Sequence, residues 1–218
     1  MAITTIVGID LAGPSNTADT ALVIGRATSK TLELQEARIG VTDSSILALA
    51  RELAAGPTGF ALDAPLAYNE GGGDRPGDRD LRRKIIDKGL ASGSVMPPTM
   101  TRMAYLTLRG VCVARGIGLS TGGAATVRIV EVHPGATMAL RDAPVDAVRG
   151  YAKQPEARER LLQWLGQQGI TGLDPALTKT SHQIAAVAAA LAGWAWDNGR
   201  SEWCHEAAPP LHPFDFAC

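Results

Sequence analysis

Three cysteines in 218 residues, Cys112, Cys204 and Cys218, leave one over in any pairing and form no C-x-x-C pair. That scarcity excludes a disulfide scaffold and a cysteine-based zinc module, and it fits a reducing compartment. Aromatics are equally scarce at 5%, so no platform for stacking successive bases is visible. No apolar run approaches the ~18 residues that a membrane span needs. The N-terminal apolar stretch has no basic start and already carries Asp10, unlike a secretory signal. The net charge of −1 is too small for a protein that grips a polyanion by bulk basicity. These absences lead to the expectation of a soluble, cytoplasmic chain without a membrane partner; its oligomeric state is left open. At roughly 100–200 residues per domain, positions 1–218 make one domain large enough to fold without staples.

What is present is an α/β pattern. Ile3 to Leu11 is a nearly continuous apolar run, the signature of a strand covered on both faces. Thr20–Ile24 and Thr31–Ile39 read as a hairpin, and Asp43 or Ser44 is placed to cap a helix that Gly56-Pro57 stops. A short strand at Gly59–Leu62 ends in Asp63. Residues 69–125 form a loop-and-helix insert. Its Gly71-Gly72-Gly73 loop leads to a charged helix at Asp78–Lys88 and a helix at Thr99–Arg115. A second loop then holds Gly116, Gly118, Gly122 and Gly123. Thr126–Val132 is a strand stopped by His133-Pro134-Gly135, and helices follow at Glu156–Gln168 and Ser181–Asp197. The last is alanine-rich and apolar nearly all round, as a helix buried against a sheet must be. The tail from Ser201 is read as a wrap or a loose end. Hairpin strands followed by β–α units imply a mixed sheet with helices on its faces.

Asp10, Asp63 and Glu131 each stand at the C-terminal end of an apolar strand, just before a glycine or proline. In an open α/β sheet that edge is where ligands bind. If the three strands are parallel neighbours, their carboxylates converge and repel, and a divalent cation relieves the conflict. Oxygen ligands point to Mg²⁺ or Mn²⁺ rather than zinc. His182, in the first turn of the last helix, is expected to stay neutral beside the positive helix end, able to ligate a metal or accept a proton. His133 shares a strand face with Glu131 by two-residue periodicity and is expected to support it from behind, or to serve as a structural hydrogen bonder. Residues 71–120 carry nine Lys+Arg against four Asp+Glu. Such a basic platform suits phosphate binding, with Arg75, Arg79, Arg82 and Arg102 as candidates to hold a nucleic-acid or phosphate-ester substrate.

The motifs G-I-D-L-A-G (8–13), A-L-D-A-P-L (61–66), R-P-G-D-R-D-L-R (75–82), P-P-T-M-T-R-M (97–103), E-V-H-P-G (131–135) and S-H-Q-I-A-A-V-A-A-A-L-A-G (181–193) together resemble domain-of-unknown-function family 429. Its members are described as predicted nucleases with an RNase H-like fold. The resemblance covers almost the whole chain. It implies a five-stranded mixed sheet of order 3-2-1-4-5 flanked by helices, with the helical insert after the fourth strand. It further implies two-metal hydrolysis of phosphodiester bonds, with Asp10, Asp63 and Glu131 as metal ligands and His182 as the fourth catalytic group. One departure is in the last helix, where Ile184-Ala185-Ala186 stands in place of an acidic residue. Two rival expectations remain. The segment G-I-D-L-A-G-P-S-N-T resembles the first phosphate loop of actin-like ATPases, and S-T-G-G-A-A-T (120–126) is a candidate phosphate cradle. Those enzymes need two such folds. A non-catalytic metal-dependent binding module is favoured by Ala185 and the net acidity.

Overall fold

Strand β1 (Thr5–Asp10) lies in the middle of the sheet, and its residues Ile6–Ile9 are buried, as an unbroken apolar run requires. The structure is a computed structural model that describes residues 4–218, so the expected strand start at Ile3 lies outside them. β1 pairs antiparallel with β2 (Ala21–Ala27), which pairs antiparallel with β3 (Leu32–Ile39). On its other side β1 runs parallel to β4 (Thr58–Asp63), which runs parallel to β5 (Val127–Val132).

The sheet holds eight strands where the sequence predicts five. Its order is β6-β3-β2-β1-β4-β5-β8-β7, with four parallel and three antiparallel pairings. The three unexpected strands, β6 (Ile170–Thr171), β7 (Cys204–His205) and β8 (Phe216–Ala217), extend both edges. Each has two residues, too few to show any period. The tail is therefore an ordered wrap that lines β8 up beside β5.

Pleat alternation divides the core. Val7, Ile9, Leu22, Phe60 and Leu62 face α1 (Asp43–Leu53) and α3 (Thr101–Ser120). Ile6 and Ala61 lie on the opposite face, under α7 (Ser181–Asp197). Helix α7 is seated so closely that a Cβ on Gly8 would meet Ala186 O at 2.3 Å and Ala190 N at 2.5 Å. A Cβ on Gly193 would meet Ala61 Cβ at 2.7 Å. The alanines of α7 are thus the small side chains that let a helix lie almost on the backbone of the strands.

The expected helices form with shifted ends. Thr42 caps α1, its Oγ1 accepting from Ser45 N–H at 3.3 Å, in place of Asp43 or Ser44. Helix α2 spans Pro76–Asp87. Helix α3 continues to Ser120, so Gly116 and Gly118 are helical rather than loop residues. At Gly116 a Cβ would stand 3.0 Å from Leu47, and the glycine serves the crossing of α3 over α1. Pro134-Gly135, expected to end the strand in a turn, opens α4 (Pro134–Leu140), with proline at the first helical position where its missing N–H costs nothing. α5 (Val145–Gly150) was also not anticipated, and α6 (Pro155–Gln167) follows it. Among the described residues no helix is long and apolar enough to cross a membrane.

Gly8→Ala forces α7 off the sheet at its tightest point. It should lower stability by about 3 kcal/mol, the upper end for overpacking, read as an earlier urea midpoint with an unchanged slope.

Candidate functional site

Parallel register places Asp10 directly beside Asp63 across β1 and β4. Both carboxylates therefore project from the α7 face, at the C-terminal edge of the sheet. Asp63 is driven well above the usual carboxylate range, first by burial, then by the charge of Asp10 and a hydrogen bond to it, and less by Glu131. A buried carboxyl next to a second carboxylate retains its proton unless a cation takes its place.

Helix α7 supplies the third group. Thr180 Oγ1 caps its N-terminus by accepting from Gln183 N–H at 3.2 Å, which fixes the first turn and points His182 at β1. Nδ1–H of His182 donates to Oδ2 of Asp10 at 2.6 Å, and the imidazole remains 38% exposed. The helix dipole was expected to keep this ring neutral. Instead the hydrogen bond to Asp10 raises its pKa, against the opposing effect of burial. The magnitudes explain the reversal: a helix terminus contributes roughly 0.3–1 kcal/mol, whereas a hydrogen bond to a charged group contributes about 1.5–3 kcal/mol.

Glu131 does not join this group. Its register partner on β4 is Leu62, not Asp63, so the pleat turns it toward the face opposite Asp10 and Asp63. There Oε2 accepts from Leu66 N–H at 2.8 Å and from Arg75 Nη1 at 2.7 Å. Arg75 also binds Asp78 through Nη2 at 2.7 Å and Nε at 3.0 Å, and its guanidinium lies 5.3 Å from the centre of the Phe216 ring. Burial alone would weaken the charge on Arg75, but Glu131 and Asp78 raise its pKa above the ordinary guanidinium value. The expected trio of carboxylates is thus a pair. Among the described residues no three His, Cys, Asp or Glu side chains are placed to hold one metal ion. The physical reason is the two-residue period of a strand: a shift of one position in register exchanges the faces.

The basic insert is largely spent on itself. Arg75 is buried in the network just described. Arg82 makes a bidentate pair with Asp74, both contacts at 2.6 Å, and donates to Val95 O. Arg109, also counted in the platform, is buried on α3 and donates to Ala12 O and Thr20 Oγ1, each at 2.7 Å, and to Asp43 at 2.8 Å. It holds the loop after Asp10 against α1. Arg79 and Arg102 are exposed and make no ion pair among the described residues. His133 spends both nitrogens on structure. Nδ1 accepts from Ala136 N–H at 3.1 Å as the cap of α4, so Nε2–H donates to Ser94 O at 2.7 Å. Burial lowers its pKa, and the ring is the neutral structural hydrogen bonder of the two expected alternatives.

Two residues near the carboxylates were not anticipated. Asp78 had a sequence signal, since Arg75-Pro76-x-Asp78 is a helix start with an acid at the third position, and its Oδ2 accepts from Arg75 N–H at 2.8 Å. Tyr151, at the end of α5, had none. Burial and the nearby charges of Asp63 and Asp10 raise its pKa, so it presents a neutral phenol to the pair. A cavity of about 200 Å³ opens beside Asp63, lined by Pro65, Met96, Met103 and Leu106 and by the Arg75–Glu131 pair.

A family model described as Protein of unknown function (DUF429) matches residues 8–209. No curated protein matches the chain, and no solved structure matches it.

Asp63→Asn keeps a donor toward Asp10 while removing the buried charge. A carboxyl with a raised folded pKa contributes stability below its unfolded value and loses it as pH rises through the folded one. The variant should therefore melt several degrees above wild type in mildly alkaline buffer, with the gain shrinking toward acid. His182 follows the same sign. Its pairing with Asp10 is fully present below the unfolded value of 6.5 and fades as pH rises through the raised folded pKa. In a nuclear magnetic resonance titration, Asp10→Asn should return the ring toward its ordinary midpoint.

Proposed function

We propose that this chain, which belongs to the family described as protein of unknown function (DUF429), is a cytoplasmic metal-dependent hydrolase of phosphodiester bonds with an RNase H-like architecture. The observation that carries the reading is the in-register Asp10–Asp63 pair at the sheet edge, with His182 hydrogen-bonded to Asp10. The pair fits one Mg²⁺ or Mn²⁺: two carboxylate oxygen donors in a buried setting hold a proton that a hard divalent cation would displace. Bound there, the cation would supply Lewis-acid polarisation of a phosphoryl oxygen and lower the pKa of attacking water. Glu131 would serve a second cation only after leaving Arg75, so the one-cation form is the form that the resting geometry favours.

The chain's own residues do the rest. Asp10 orients the imidazole of His182 and stabilises its protonated form, leaving Nε2 to exchange a proton with water or the leaving oxygen. Water attacks phosphorus and loses a proton to solvent, the bond to the leaving oxygen breaks, that oxygen takes the proton that Nε2 carries, and Nε2 is reprotonated from solvent. Arg79 and Arg102 hold the phosphates on either side. The cavity beside Asp63 receives the group attached to the scissile phosphate.

A binding module that keeps the metal but not the reaction is a second reading, favoured by the locking of Glu131 onto Arg75. The full chain with Mg²⁺ or Mn²⁺ should cleave at least one of single-stranded, duplex, hybrid or branched substrates, and a chelator should stop it. Asp10→Ala should reduce the rate by at least roughly 10²–10³-fold, as deletion of an electrostatic anchor does, and calorimetry should show weaker metal binding. Cleavage by Asp10→Ala at the wild-type rate would overturn the assignment. Tight metal binding with no cleavage of any substrate supports the module instead.

A further inference from the structure

Most of the large exposed apolar side chains gather around helix α3. Of eight large hydrophobic side chains that stand in solvent, Met100, Tyr105, Leu108 and Leu119 lie on α3 or at its start, and each is at least 49% exposed. Two more, Tyr68 and Leu211, share a hollow of about 230 Å³ with Val111 and Arg115 of the same helix. Tyr105, Leu108, Cys112, Arg115 and Leu119 are all exposed and follow the 3-4 spacing of a heptad seam. Helix α3 has no acidic residue, and its inner face is already committed to α1 and β4.

We propose that this face of α3 pairs with a second copy of the chain about a two-fold axis through Cys112. The spacing is symmetric at that point: Tyr105 and Leu119 lie seven residues to either side. Antiparallel packing sets Tyr105 against Leu119 of the partner subunit, and Cys112 against Cys112 of the partner subunit. Leu108 falls beside Arg115 of the partner subunit, whose aliphatic stem covers it while the charge reaches solvent. Tyr68, Met100, Tyr105, Leu108, Leu119 and Leu211 together expose on the order of 700 Å² of surface, scaled from the ~150–250 Å² of a large aromatic. That is close to the ~800 Å² per partner of a standard interface, and it exceeds the roughly 300–600 Å² patch normal on a monomer. A nucleic-acid strand fits the face less well, because its centre line is aliphatic and Arg115 is the one exposed cation on the seam among the described residues.

Sedimentation equilibrium of the full chain at micromolar concentration should give twice the chain mass. The double variant Leu108→Asp with Leu119→Asp changes only solvent-exposed positions, and its far-ultraviolet dichroism and melting should match wild type. Its dissociation constant should rise by at least about 100-fold, because Leu119→Asp buries a carboxylate against Tyr105 of the partner subunit with no cation opposite, and Leu108→Asp removes the apolar side chain that the stem of Arg115 of the partner subunit covers. In a Cys204→Ser background, air oxidation with copper phenanthroline should form a dimer on a non-reducing gel that Cys112→Ser abolishes. A monomeric wild type overturns the proposal, as does a dimer indifferent to the double variant. A monomer that floats with lipid vesicles, and ceases to do so in the double variant, assigns the face to a lipid surface and also overturns it.

Discussion

Helix α7 rests on β1 with no side chain between them at Gly8, and the separation this permits governs the upper edge of the sheet. A longer side chain at Gly8 or Gly193 would lift the helix away from the strands. The Asp10–His182 hydrogen bond of 2.6 Å exists because the helix is that close and because Thr180 stops it at the right residue. The run of alanines therefore has a chemical consequence as well as a packing one: it brings the end of a helix to a carboxylate at the end of a strand. The imidazole then answers to Asp10 more than to the helix dipole, since a direct charged hydrogen bond outweighs partial charges spread over a turn.

On the other face of the sheet, buried charge is organised around Arg75. It joins the start of α2 to the end of β5 through Asp78 and Glu131, and Phe216 of the C-terminal wrap covers its guanidinium. Breaking a buried pair of this kind costs roughly 3–5 kcal/mol, so the network anchors the insert to the sheet. It also compensates the charge of Glu131, whereas the Asp10–Asp63 pair relieves its repulsion by keeping a proton on Asp63. The two faces thus treat their acids in opposite ways, one by pairing and one by proton retention.

Much of the fold was legible because burial writes itself into local sequence. The continuous apolar runs at β1 and β4, the hairpin, and the all-round apolar α7 are each long enough to carry a period. Asp10, Asp63 and His182 were found by their positions at element ends. Glu131 obeys the same rule, but its facing does not follow from it, because facing is set by register between strands and one residue changes it. Gly116 read as a loop signal, yet the glycine answers to Leu47 of another helix. The two-residue strands at the edges carry no signal at all. β6 and β8 are strands because β3 and β5 offer them unpaired backbone groups, and β7 because β8 does so in turn.

The sequence by itself determined the types of the long elements, the scarcity of disulfide and membrane features, and the identity of the acidic residues at the strand ends. Those properties follow from solvent preference and backbone propensity, which act over a few residues. Tertiary structure alone decided which acids face one another, which arginines are consumed internally, and where apolar surface is left over on α3. Each of these depends on distances between segments far apart in the chain. Register, helix approach and buried pairing set those distances, and no window of sequence contains them.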